Sequence, residues 1–156
     1  MAQRIGNADT SCLPRWMPLL LLITFLLHNA EEAASYPTYR ETVQALVQSH
    51  LPATFRAPSV ASFHIALVLV SLVAVGAMAW AGTHGDSSFA RLQVRLLAWI
   101  MLINVALPHA PAAVAMGGYS PGLATALALN LPIATIVLLR SRRKAPTETS
   151  IGAAVD

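Results

Sequence analysis

Four apolar stretches, each close to the length that crosses a bilayer as a helix, dominate this sequence. The first runs from Leu13 through Leu27 and extends in helical register to Ala34. The second, Ser62 to Gly82, contains no charged residue. The third reaches from Leu96 to Met116 and the fourth from Gly122 to Leu139. About 20 apolar residues are needed to cross a ~30 Å hydrocarbon core as a helix. Barrel strands would alternate and be half as long, and backbone groups in lipid must be satisfied within the segment. The expected fold is therefore all-α: a four-helix transmembrane bundle over 13–140 (spans 13–34, 62–82, 96–116 and 122–139). Residues 1–12 and 141–156 are expected to be cytoplasmic tails, the second of them disordered.

The charges fix an expected orientation. Only 11% of the 156 residues are charged and 56% are apolar, against about 25% charged in a soluble domain. Arg4 and Arg15 precede the first span, Arg91 and Arg95 join spans two and three, and Arg140, Arg142, Arg143 and Lys144 follow span four. Eight of the ten bases thus fall on one side, leaving Arg40 and Arg56 on the other. The positive-inside bias places both termini in the cytoplasm. The net charge of +3 then reflects topology, with RSRRK near anionic lipid; no nucleic-acid partner is expected, because interleaved aromatics are missing. Cys12, the single cysteine, excludes an internal disulfide or a thiolate metal cage. A signal peptide is the rival for span one, but Glu31 and Glu32 lie where cleavage wants small neutral residues.

The long outer connection 36–61 is punctuated by Pro37, Pro52 and Pro58. Within it, Val43, Leu46 and Val47 share one helical face, which predicts a short amphipathic outer segment between helices 1 and 2. The other turns, THGDSS and GGYSPG, are short. Trp16, Trp80 and Trp99 fall toward cytoplasmic ends as interfacial anchors.

Ionisable residues inside the spans are few and collect in one half of the bilayer. His28, Glu31 and Glu32 lie at the outer end of span one. His28 stands three and four positions from the two glutamates, so both approach the imidazole along one helix face. His64 begins span two, His109 lies in the outer part of span three with Asn104 nearer its middle, and Asn130 lies in span four. Such groups are costly in lipid and face a bundle interior. Imidazole and carboxylate suit zinc or iron. Paired irons use Glu-x-x-His sets on facing helices; here the order is reversed and one helix carries the acids, so a single divalent metal is expected. His28, Glu32 and His109 are the candidate ligands, with His64 as a fourth. Glu31 and Glu32 are candidates for the acid or base, and Asn104 for orienting substrate or water. A metal-free pair of buried acids, a carrier, or a structural subunit are the alternatives.

HNAEEAASYP, the Asn104 and His109 pair, and YSPGLATALALNLP at 119–132 resemble the bacterial HXXEE-motif membrane proteins, a family of unknown function. The resemblance covers about residues 16 to 140, with His28, Glu31 and Glu32 filling the motif. It implies a multi-pass protein of a bacterial cytoplasmic membrane with a possible enzymatic site, and supplies no substrate. The expected function, from the residues and their depth, is a membrane-embedded metal-dependent enzyme acting on a lipid or isoprenoid-like substrate. A terpenoid cyclase or isomerase using acid and base alone is the nearest rival.

Overall fold

The computed structural model describes residues 14–141. The expected tails, including Arg4, Cys12, the first residue of the Leu13 span and RSRRK beyond Ser141, lie outside the described residues. The described residues are all-helical, with four helices: α1 Trp16–His50, α2 Val60–Thr83, α3 Ser88–Ala115 and α4 Leu123–Ser141. Serines start two of them. Ser59 Oγ accepts from the Ser62 N–H at 3.1 Å and Ser87 Oγ from the Phe89 N–H at 3.2 Å, satisfying donors that a helix start leaves unpaired. The early cap at Ser87 lets α3 begin eight residues before the apolar stretch expected from Leu96, carrying Arg91 and Arg95 on its first turns.

Among the described residues, α2, α3 and α4 are each long and apolar enough to cross a membrane. Helix α1 falls short of that composition because His28, Asn29, Glu31 and Glu32 interrupt it, yet it packs beside α2, α3 and α4 as the fourth member of the bundle. The core lies toward the end where the chain's Arg15, Arg91, Arg95 and Arg140 sit. Met17, Leu21 and Phe25 from α1 meet Met78 from α2, Val94 and Met101 from α3, and Val137 from α4. Ala74, Ala81, Ala90, Ala98 and Ala134 are interleaved with them; small residues let helices approach where no water drives them together. The Arg140 guanidinium lies 5.3 Å from the Trp16 ring, tying the start of α1 to the end of α4. Above this apolar half the buried residues turn polar: His28, Asn29, His109, Ser120 and Asn130.

The amphipathic stretch is present as the outer end of α1, not as a separate helix. Val43, Leu46 and Val47 are half-buried while Glu41, Thr42 and Gln48 are exposed. The continuity is unexpected at Pro37, which has no N–H to give the Ala33 carbonyl one turn below. His64 of α2 supplies the missing donor, its Nε2 lying 3.0 Å from Ala33 O. Tyr36 reinforces the join by stacking on Phe63 at 3.9 Å and donating to Pro58 O at 2.8 Å. His64→Ala is therefore expected to destabilise the protein by about 1 kcal/mol, the low end of the cost of an unpaired acceptor because this one is only part-buried, as read by thermal unfolding in detergent. Pro37→Ala in the same background restores the backbone donor and should recover most of that loss.

Candidate functional site

Four segments meet at the end of the bundle away from Arg15 and Arg140, and prolines shape two of them. Pro108 and Pro111 in α3, and Pro132 in α4, cannot donate to the carbonyls of Asn104, Leu107 and Ala128. Both helices widen there into single π turns, Val105–His109 and Ala126–Asn130. The Ala110 N–H bonds Val105 O and the Leu131 N–H bonds Ala126 O, five residues back in each case. In a regular α-helix, residues five apart diverge by about 140°. The i→i+5 pattern stacks them instead, and π turns of this kind occur frequently at functional sites. Asn104 and His109 bracket the first π turn, and this widening lets both reach His28.

His28 is fully buried at the centre. Its Nε2 receives the Asn104 side-chain N–H at 2.9 Å and lies 3.2 Å from His109 Nε2. The two imidazoles meet edge to face, 4.8 Å between centroids. Glu32, one turn above His28, places Oε1 3.6 Å from His28 Nε2 and 3.2 Å from His109 Nε2. Among the described residues these three form the cluster able to hold a metal, with one donor atom from each inside a 4.8 Å group. A four-coordinate tetrahedral centre with bonds of about 2.0–2.1 Å keeps its ligands roughly 3.3–3.4 Å apart. The three edges here are 3.2, 3.2 and 3.6 Å. The donor atoms already stand at nearly that spacing.

Glu31 takes a different position. Its carboxylate faces the start of α4, where Oε1 accepts the Ala124 N–H at 3.1 Å and Oε2 the Thr125 N–H at 2.7 Å. The hydroxyls of Tyr119 and Thr125 donate to the same two oxygens. Glu31 is thus a cap supplied from another helix, its charge favoured by the first turn of α4. Burial and then the Glu31 carboxylate hold the Tyr119 phenol above its ordinary value, so it stays a donor. His64, considered as a fourth ligand, is bonded to Ala33 O instead and is not among the clustered groups. Asn130 is fully buried with neither amide atom bonded among the described residues. It therefore does not act as the helix-to-helix hydrogen bond usual for such an asparagine.

Three contributors were not apparent from residue chemistry alone. Thr125 joins Glu31 to His28, with its Oγ1 3.0 Å from His28 Nδ1. Ser120 Oγ donates to His109 O at 3.1 Å, holding the turn against α3. Gly122, in the left-handed region at φ 81°, closes the floor of the cluster. A Cβ there would stand 2.7 Å from both Glu32 Cγ and His109 Cε1, and 2.9 Å from His28 Cε1. Its one legible signal is its place at the end of SPG, directly before a helix.

Gly122→Ala should therefore spread the cluster and add backbone strain of roughly 1–3 kcal/mol. Gly118, where a Cβ meets nothing within 4 Å, is the control. Thermal unfolding of the two alanine variants should show a lowered midpoint for Gly122→Ala and near wild-type behaviour for Gly118→Ala.

The chain is 30% identical over 113 residues to the uncharacterized protein YrkK of Bacillus subtilis (strain 168), a match covering 72% of this chain and 66% of that protein. It thus spans just under two thirds of the curated relative's length. No solved structure matches it. Residues 19–137 match the family described as a protein of unknown function with HXXEE motif, and that stretch holds His28, Glu31, Glu32, Asn104, His109, Gly122 and Thr125. The chain belongs to the HXXEE-motif family.

Proposed function

We propose that this protein is a membrane-embedded enzyme that uses one divalent metal, zinc or iron, to transform a lipid or isoprenoid-like substrate. The observation that carries the metal is the spacing of His28 Nε2, His109 Nε2 and Glu32 Oε1, two imidazole nitrogens and one carboxylate oxygen from two helices at near-tetrahedral separations. A buried cluster of this kind is costly unless a cation or proton satisfies it. Three protein ligands with one further position is the pattern of a catalytic metal, which supplies Lewis acidity or an activated water. The Glu32 side chain is 14% exposed while His28 is sealed, so access runs past Glu32. Asn104, whose side-chain N–H meets His28 Nε2, would orient substrate or water beside the cluster.

The substrate class follows from depth. The cluster lies at the polar end of a bundle whose other surfaces are apolar, including Ile65, Leu69, Leu72 and Val73 of α2. A reactant reaching it from the bilayer is itself amphiphilic. The positive-inside bias of Arg15, Arg91, Arg95 and Arg140 at the opposite end argues for a cytoplasmic membrane, both termini inside and the site in the outer half.

A second reading is favoured by the Glu32–His109 contact alone. A carboxylate 3.2 Å from an imidazole is an acid–base pair that needs no metal, as a terpenoid cyclase or isomerase would require.

Metal analysis of detergent-purified protein reconstituted with zinc or iron separates these. The metal reading predicts about one equivalent in the wild type and loss of it in His28→Ala and His109→Ala, with chelators abolishing any activity found. No bound metal in the wild type, or equal loading of all three proteins, contradicts it; activity that survives chelators supports the acid–base pair.

A further inference from the structure

His28 has two ring nitrogens, and a metal can use Nε2 only when the proton sits on Nδ1. We propose that Glu31 and Thr125 form a positioning relay that fixes His28 in the Nδ1–H tautomer and so keeps Nε2 bare toward the cluster. The proposal rests on the metal reading for its use, but its geometry stands by itself.

The hydrogen-bond directions allow one solution. An ionised carboxylate accepts only, and Thr125 Oγ1 lies much closer to Glu31 than to its other acceptor, Gly122 O at 3.4 Å, so the hydroxyl proton goes to Glu31. Thr125 Oγ1, 3.0 Å from His28 Nδ1, must then accept, which requires the proton on Nδ1. On the far side of the ring the Asn104 amide nitrogen, which can only donate, lies at 2.9 Å, closer than either possible acceptor, His109 Nε2 at 3.2 Å or Glu32 Oε1 at 3.6 Å. His28 Nε2 must therefore present a lone pair. The two ends of the ring reach the same answer from different helices, α4 and α3.

This explains why an acid adjacent to the candidate ligands is turned away from them. Glu31 is held by two backbone N–H groups of α4 and two hydroxyls, so its orientation is fixed before His28 is considered. Metal-bound histidines commonly donate their other N–H to such an anchored acceptor, and losing that partner lowers metal affinity by about 10–100-fold. Here the anchor is a carboxylate acting through a hydroxyl. Glu31 and Thr125 are positioning residues, and Glu32 is the acid of the motif that faces the reacting space.

The test uses full-length protein in detergent micelles with 15N-labelled histidine. In metal-free wild type, the His28 resonances, assigned by their loss in His28→Ala, should report Nδ1 protonated and Nε2 bare. Thr125→Val should mix the tautomers and weaken zinc binding about 10–100-fold, while Thr125→Ser should keep both wild-type properties. A wild-type His28 protonated on Nε2 overturns the relay, as does Thr125→Val with unchanged tautomer and zinc affinity. A wild type that binds no zinc but shows the locked tautomer upholds the relay and removes the metal reading. The wild-type measurement decides even if Thr125→Val fails to fold.

Discussion

Ionisable side chains inside an apolar bundle are tolerated only when every donor and acceptor finds a partner, because hydrocarbon offers none. That constraint organises the half of this protein away from Arg15 and Arg140. Glu31 is neutralised by four donors from the α4 start and the preceding turn, and Thr125 passes its acceptor capacity to His28. Asn104 satisfies the other face of the same ring. Beside that ring stand His109 Nε2 and Glu32 Oε1, 3.2 Å apart, which with His28 Nε2 make a triangle of basic atoms whose first vertex is the one Asn104 already meets. The apolar half of the bundle below, with its interleaved alanines, is regular by comparison. Irregular backbone and polar side chains occur together, at one end.

Proline does much of the shaping, by subtraction. At Pro37 the orphaned Ala33 carbonyl is met by His64, and α1 continues outward as one 35-residue helix. At Pro108, Pro111 and Pro132 no side chain among the described residues substitutes in the same way, and the helices widen into π turns. The first brings Asn104 and His109 onto a common face. A regular helix through the same sequence would direct one of them elsewhere, and the cluster would lack a corner.

The sequence made the bundle legible because span length and charge bias are coarse properties that survive local irregularity. His28 and Glu32 could be paired from their spacing, since i and i+4 meet on any helix. His109 and Asn104 could be nominated from their depth, although their joint approach depends on a π turn that no periodicity announces. Gly122, Thr125 and Ser120 were not legible, because a turn glycine and small hydroxyls carry no chemistry until the fold brings them to a ring or a carboxylate. Two groups of the right chemistry have other partners: His64 serves the backbone at Pro37, and Glu31 serves the start of α4. Residue type and depth alone could not separate a ligand from the group that completes a hydrogen-bond count. Pro37 four positions after Ala33 was the available hint for the first.

The central claim is that three donors from α1 and α3 are arranged around a single cation. X-ray absorption at the zinc edge, on full-length protein loaded with one equivalent of zinc in detergent, tests it most directly. The account predicts a four-coordinate spectrum with two imidazole nitrogens and carboxylate oxygen at about 2.0–2.1 Å, and loss of one imidazole in His109→Ala. A spectrum of hydrated zinc without imidazole scattering, or one unchanged by His109→Ala, would contradict it.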